Sequence, residues 1–284
     1  MAEIGGIEAG LHLVAVPIGT ARDITLRALD VLAGADMLAA EDTRSLRRLM
    51  DIHGIALGDR PLIPYHDHNG PQALPRLMGA LRAGKSVAYA SEAGTPLIAD
   101  PGFRLGVDAR TEGIAVRAAP GASAVLAALC VAGLPTDRFF FNGFLPPKSA
   151  ARKSALRDLA AVPGTLVFYE SPKRLAAMLR DAAEVLGPRE AAVCRELTKR
   201  FEEVQRGTLA ELADVYQNDD PKGEIVVLID RPGAVETDDA TIEAALRIAL
   251  KDGSLKSAAK DVSENFGIAR NIAYQMALRI RDEG

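Results

Sequence analysis

Seven short apolar runs, at residues 11–16, 37–40, 86–90, 114–118, 165–169, 191–195 and 224–229, divide the chain into segments long enough to hold helices. Helical patterns occupy those segments, at 25–33, 45–51, 71–83, 103–112, 122–132, 150–160, 172–186 and 208–216. Apolar runs of this length read as buried strands, and strands that alternate with helices imply parallel sheets covered on both faces. The chain is therefore expected to be α/β with mainly parallel sheets. Antiparallel edge strands would leave no mark in such a pattern.

Two breaks interrupt the alternation. At 137–148, D-R-F-F-F-N-G-F-L-P-P-K gathers four of the eight phenylalanines and ends in a Pro-Pro turn. It reads as a passage between two α/β units that lies against both. At 231–240, R-P-G-A-V-E-T-D-D-A is a polar linker. Beyond it the pattern is purely helical, with Ile242, Ala245, Leu246, Ala249 and Leu250, then Leu255, Ala258, Ala259 and Val262 at helical spacing. Ser254 is a predicted N-cap and Gly267 a predicted C-cap. A third helix from about Ala269 opens with Arg270, Asn271, Tyr274 and Gln275, which is helix-turn-helix spacing. The predicted organisation is an N-terminal α/β domain (1–120), a C-terminal α/β domain (121–232) and a small helical domain (240–284).

Composition excludes several classes. With 48% hydrophobic and 25% charged residues the chain is globular, and a net charge of -4 provides no global basic field for nucleic acid. A local basic patch is still compatible with that balance. Cys130 and Cys194 lie far apart in apolar surroundings without metal-type spacing. They read as buried free thiols of a reducing, cytoplasmic compartment. The first ten residues lack the basic and apolar regions of a signal peptide. Residues 118–136 are uncharged, yet they are Ala-rich and broken by Pro120-Gly121 and by Gly133 and Pro135. They predict a buried helix rather than a membrane span.

Three strand ends carry unusual turns: V-P-I-G-T-A-R-D-I-T (16–25), S-E-A-G-T-P (91–96) and P-G-A-S (120–123). In parallel sheets, ligands bind where the loops converge at the carboxyl ends of strands. Glycine lets backbone approach a ligand and proline fixes loop shape. One such turn is only a well-formed turn, but three at one sheet edge point to a site. No G-x-G-x-x-G and no phosphate-binding G-x-x-x-x-G-K-[ST] occurs. G-A-S-A (121–124) lacks the second glycine of a nucleophile elbow. His66 and His68 share one side of an extended segment, but no third metal ligand is evident, so polar recognition is expected and no metal site. E-D-T-R (41–44) is either a self-satisfied salt-bridged loop or the polar wall of a cleft.

Taken in order, these segments resemble the tetrapyrrole methylase superfamily and, within it, the small-subunit ribosomal RNA methyltransferase I family. The matching stretches are V-P-I-G-T-A-R-D-I-T-L-R-A (16–28), E-D-T-R (41–44), Y-H-D-H-N (65–69), S-E-A-G-T-P-L-I-A-D-P-G-F (91–103) and P-G-A-S-A (120–124). They continue with A-G-L-P-T-D-R-F-F-F-N-G-F-L-P-P-K (132–148), F-Y-E-S-P-K-R-L (168–175), R-E-L-T-K (195–199) and K-G-E (222–224). The resemblance covers most of residues 11–230, and the helical tail fits it as well.

The resemblance implies two α/β domains that hold S-adenosylmethionine in the cleft between them, in a homodimer that methylates the 2′-oxygen of a cytidine ribose in 16S rRNA of the 30S subunit. Carried over by motif, cofactor contacts come from Pro17 and Gly19, from Glu92, Ala93, Gly94 and Thr95, from Gly121, Ala122 and Ser123, and from Tyr169 and Gly223. The family pattern more often has Asp where this chain has Glu92. The resemblance therefore supports that loop's backbone contacts more than a side-chain role.

Methyl transfer from a sulfonium to a hydroxyl needs in-line placement and a proton acceptor. Asp100 and Glu170 are acid candidates, and Lys173 would serve if desolvation lowered its pKa. Arg44, His66, His68, Lys148, Arg174, Lys199 and Arg270 are candidate RNA contacts, with Arg152, Lys153 and Arg200 on the same rim and Tyr274 beside Arg270. Two other readings share the motifs: a tetrapyrrole-precursor C-methyltransferase of the same fold, and a non-enzymatic ligand-responsive regulator with a helix-turn-helix output.

Overall fold

A computed structural model describes residues 7–66, 69–98, 102–217, 221–233, 239–266 and 268–282. Asp100, His68 and the C-cap candidate Gly267 lie outside the described residues. Five parallel strands make the first sheet: β1 (Gly10–Val14), β2 (Met37–Ala40), β3 (Leu62–Pro64), β4 (Ser86–Ala90) and β5 (Val116–Ala119), in the order β3-β2-β4-β1-β5. Helices α1 (Leu26–Gly34) and α2 (Thr43–Ile52) bury Ala28, Val31, Leu32, Leu46 and Met50 on one face. Helices α3 (Gly70–Arg82) and α4 (Phe103–Thr111) bury Leu77, Met78, Leu81 and Leu105 on the other.

Helix starts follow local chemistry. The Thr25 side chain accepts the Ala28 N–H, and the Asp42 carboxylate accepts the Arg44 and Ser45 N–H groups. At the C-terminal end of α1, the Arg60 guanidinium donates to the carbonyls of Leu32, Ala33 and Ala35, covering acceptors that the helix leaves open.

The second sheet is mixed. Its strands are β6 (Phe139–Phe144), β7 (Thr165–Glu170), β8 (Glu190–Arg195), β9 (Glu203–Thr208) and β10 (Ile225–Ile229), in the order β6-β7-β10-β8-β9. Only β6 and β7 run parallel; β10 is antiparallel to both neighbours, and β9 to β8. The antiparallel pairing thus reaches the sheet's centre, not just its edge. Residues 137–148, expected as a passage between units, instead contribute edge strand β6.

Two-residue alternation sorts the side chains of this sheet. Leu166, Phe168, Ala191, Val193, Ile225 and Val227 face α6 (Ser149–Leu159), α7 (Pro172–Leu186) and α8 (Leu209–Val215). Val167, Ala192, Cys194, Val226 and Leu228 face α5 (Ala124–Ala132), together with Ile18 from the first unit. The start of α8 forms a capping box, with Thr208 and Glu211 exchanging hydrogen bonds. Cys194 is buried as expected, and burial pushes its thiol up to about 11. Cys130 is exposed, contrary to expectation, because α5 is apolar all round and only one side of it meets the sheet.

The tail folds as α9 (Asp239–Asp252), α10 (Leu255–Phe266) and α11 (Arg270–Asp282) around Ile242, Leu246, Val262, Met276, Ala277 and Ile280. The Ser254 hydroxyl accepts the Ser257 N–H at 3.2 Å, an N-cap bond at the predicted position. Among the described residues, no helix is long and apolar enough to cross a membrane.

Candidate functional site

In the first sheet, the connection leaving β1 passes to one side and the connection leaving β4 to the other, so a crevice opens at their carboxyl ends. The loops emerging there are stitched to one another. The Val16 N–H donates to the Gly94 carbonyl (2.9 Å) and the Gly94 N–H to the Val16 carbonyl (3.0 Å). The Thr95 hydroxyl donates to the Ala122 carbonyl (2.9 Å), and the Thr25 hydroxyl to the Pro120 carbonyl (3.2 Å). From the end of β2, Glu41 accepts the Glu92 N–H on Oε2 (3.1 Å). The three turns singled out in the sequence are therefore one structure, held mainly by backbone groups.

The second unit closes over this edge. A cleft of about 390 Å³ is lined on one side by Ile18, Glu41, Glu92, Ala93, Gly94, Thr95 and Ile98. Ser123 and Ala124 continue that wall from the third turn, and the second unit contributes Phe144, Tyr169, Glu170, Cys194, Leu197 and residues 223–226. That volume is in the range of small-molecule sites. The Thr20 hydroxyl donates to the Thr198 carbonyl, and the Thr20 N–H donates to the Thr198 hydroxyl (3.3 Å), which joins the two units beside the cleft. A Cβ on Gly19 would fall 2.5 Å from Lys199 Cγ, so the contact requires glycine.

The 196–199 segment is held in a special shape. Glu196 and Thr198 are non-glycine residues with φ of 50° and 63°. The Thr198 N–H donates to Glu202 (2.6 Å), and the Lys199 ammonium bridges Glu196 (2.8 Å) and Glu224 (2.9 Å). Burial pushes Lys199 down, but its bonds to Glu196 and Glu224 prevail and its pKa is raised. The Glu196 carboxyl is held below its usual range by the Lys199 hydrogen bond and, against partial desolvation, by the Glu224 N–H. Gly223, at φ 103°, packs so closely on Glu196 that a Cβ would fall inside its side chain.

Charge on the cleft wall is one-sided. Glu41, Glu92, Glu170 and Glu224 line it, and no lysine or arginine is among the described lining residues. Glu170, 3% exposed, accepts the Ser171 N–H (2.8 Å) and is paired with Arg174, whose Nε lies 3.0 Å from Oε1. Arg174 also donates to the Leu145 carbonyl (2.5 Å), which anchors the pair to the chain just after β6.

Of the cofactor residues expected from the sequence, Glu92, Ala93, Gly94, Thr95, Ser123, Tyr169 and Gly223 line the cleft directly. Pro17, Gly19, Gly121 and Ala122 sit in the loops immediately behind them. Of the acid–base candidates, Glu170 is on the wall, and Lys173 is exposed in the first turn of α7 and does not line it. The RNA candidates divide. Arg44, Lys148 and Arg270 are exposed, and His66 is half-buried beside Asn69, while Arg174 and Lys199 turn inward onto carboxylates. Arg152 is not a rim cation: it is buried, with Nε 2.7 Å from Asp181, and Lys153 pairs with Glu184.

Sequence reasoning missed Ile98, Phe144, Leu197 and Cys194 as lining residues. Strand alternation along 191–195 was the available signal for Cys194. Phe144 depended on a strand irregularity that composition does not show. Among the described residues, no group of three His, Cys, Asp or Glu is assembled that would hold a metal.

Comparison with known proteins places this architecture. Residues 10–213 match the family model Tetrapyrrole (Corrin/Porphyrin) Methylases, and residues 236–281 match the RsmI C-terminal HTH domain. The chain is 48% identical over 278 residues to the ribosomal RNA small subunit methyltransferase I of Mesorhizobium japonicum, covering 97% of this chain and 94% of that one. It is 46% identical to the protein of the same name from Xylella fastidiosa, covering 93% and 97%.

Solved structures of similar fold include the cobalamin biosynthetic enzyme cobalt precorrin-4 methyltransferase, CbiF, with TM-score 0.58, 19% identity, and 78% and 94% of the two chains covered. A uroporphyrin-III C-methyltransferase from Thermus thermophilus, complexed with S-adenosyl homocysteine, gives TM-score 0.53, 21% identity, and 77% and 96% covered. With two sheets, a cleft between them and a helical tail, the chain belongs to the tetrapyrrole methylase family and, within it, to the ribosomal RNA small subunit methyltransferases I.

Proposed function

We propose that this rRNA methyltransferase uses S-adenosylmethionine to methylate the 2′-oxygen of a cytidine ribose in 16S rRNA, in the decoding region of the 30S subunit. The observation that carries the cofactor reading is the charge of the cleft: four carboxylates, two of them paired by Arg174 and Lys199, and no lysine or arginine among the described lining residues suit a sulfonium better than a phosphate-bearing cofactor. Apolar Ile18, Leu197, Ile225 and Val226 on the same wall suit an adenosyl group.

Bound there, the cofactor supplies an electrophilic methyl group. Pro17, Gly19, Glu92 to Thr95, Gly121 to Ser123, Tyr169 and Gly223 would hold it, largely through backbone that the loop-to-loop bonds keep rigid. The chain's remaining tasks are to place the hydroxyl in line and to accept its proton. Glu170 is already committed to Arg174 and Glu224 to Lys199. Glu41 and Glu92, which no ion pair engages among the described residues, are the lining carboxylates left to take that proton. Arg44, Lys148 and Arg270 would meet RNA phosphates outside the acidic cleft, and the His66/His68 loop would read ribose or base edges. The same reading makes the protein a cytoplasmic homodimer without a metal, its helical tail providing a further RNA contact.

Radiolabelled S-adenosylmethionine offered with 30S subunits, naked 16S rRNA or uroporphyrinogen tests the proposal. Label in the RNA that maps to a cytidine 2′-O-methyl supports it. Label only in the porphyrinogen, or no transfer at all, overturns it.

A further inference from the structure

β6 carries an irregularity with a consequence for substrate recognition. Its register against β7 pairs Phe141 with Val167 but Gly143 with Phe168, so β6 uses two residues where β7 uses one. In a regular strand, residues 141 and 144 would face opposite sides of the sheet. The extra residue reverses that parity, and bulges of this kind re-aim side chains beside sites. Gly143 makes the turn at φ 70° and has open space around its Cβ position, so glycine serves the backbone angle there rather than close packing.

The outcome is an aromatic row on the cleft face. The Tyr169 ring lies edge-on to Phe141 (4.9 Å, 66°) and to Phe144 (5.6 Å, 62°). Phe144, the outer member, is 55% exposed although it lines the cleft. Ile98, from the first unit, lines the same cleft and is 39% exposed. The deeper lining is buried at Gly94, Glu170, Cys194 and Val226, and would enclose a cofactor. An apolar ring from one unit and an apolar side chain from the other, both left facing water along one cleft, fit a flat, partly apolar group inserted there.

We propose that Phe144 is a stacking platform for a nucleobase of the RNA substrate, with Ile98 as its apolar counterpart from the first unit. This rests on the RNA reading above. Proteins that recognise unpaired RNA splay bases out of their stack and stack them on aromatic side chains, which replace the lost neighbour. Stacking on Phe144 would hold the nucleotide's ribose over the carboxylate-lined interior while its phosphates stay outside.

The test combines Phe144→Ala, Phe144→Leu and Phe144→Trp in the full chain, with methylation kinetics on 30S subunits, calorimetric affinity for S-adenosylmethionine and sedimentation. Loss of one base–aromatic stack weakens binding by about tenfold or more. The expected result is a KM for 30S subunits raised about tenfold in the Ala and Leu variants and restored in Trp, with cofactor affinity unchanged. A Leu variant equal to wild type would reduce Phe144 to apolar packing and overturn the proposal. A tenfold loss of cofactor affinity with KM for RNA unchanged would assign the ring to adenine, and a change in sedimentation would assign it to a subunit interface; each overturns it. A wild-type protein inactive on every RNA marks failure of the functional reading itself, a result distinct from active variants with unaltered KM.

Discussion

Replacing Arg174 by Met separates two roles for a residue that a basic-rim reading would give to RNA. The substitution keeps most of the aliphatic stem and removes the guanidinium from a Glu170 side chain that is only 1% exposed. Removing one partner of a buried pair costs about 3–5 kcal/mol, because the remaining charge is left uncompensated. Two features place this site at the low end. Arg174 is itself 29% exposed, so water can follow, and the Ser171 N–H stays on the carboxylate. The Leu145 carbonyl also loses its donor. A loss of about 3 kcal/mol lowers the melting temperature by about 6 °C for a chain of this size. Adding Glu170→Gln removes the stranded charge and should recover a good part of the loss, a coupling that differential scanning calorimetry on the four proteins of the cycle measures. An Arg174→Met protein that melts with wild type but binds 30S subunits weakly would refute the buried-pair argument and return Arg174 to the RNA surface.

Gly223→Ala forces a methyl group into the Glu196 side chain at a backbone angle that favours glycine; it should cost at least about 1–3 kcal/mol and weaken cofactor binding, as melting and calorimetry would show. The Glu196 carboxyl is depressed by Lys199, and that of Glu203 by Gln205 and Arg195. Their contribution is therefore complete above the ordinary glutamate range and is lost as pH falls through their lowered values. Melting temperature should fall below about pH 4.5, less steeply in Glu196→Gln. With two cysteines in the chain, thiol titration of the native protein should show Cys130 reacting promptly and Cys194 only on unfolding; equal rates would contradict the packing of β8.

The α/β alternation was legible because a buried strand is a plain apolar run flanked by turn residues, as 86–90 and 225–229 show. Direction was not legible. β10 reads like any parallel strand, and its antiparallel place between β7 and β8 follows from where the chain returns after β9. Three strands escaped notice. β3 is only three residues long, β9 (E-V-Q-R-G-T) is a polar edge, and the phenylalanines of β6 resembled a linker wrapped by its neighbours. The cleft loops declared themselves through glycine and proline at three strand ends. The contacts that complete the cleft, such as Thr20 with Thr198 and Gly223 with Glu196, join residues brought together only by the docking of one sheet over the other. Arg174 and Arg152 show the matching difficulty for charge: a basic side chain in sequence looks the same whether it meets solvent or a buried carboxylate.

Ile18 sits in the loop after β1 yet is buried in the core of the second unit, only 8% exposed. Any motion that widens the cleft enough to withdraw it returns that side chain to water, at a cost of about 1.5–3 kcal/mol. At equilibrium that burial alone holds the open form to roughly 0.6–7% of molecules, before the Thr20–Thr198 bonds are counted. A ligand that enters only through the open form would associate at a rate reduced by that same fraction, whatever its final affinity. One isoleucine thus sets how fast the cleft can exchange its contents, as well as helping to shape its wall.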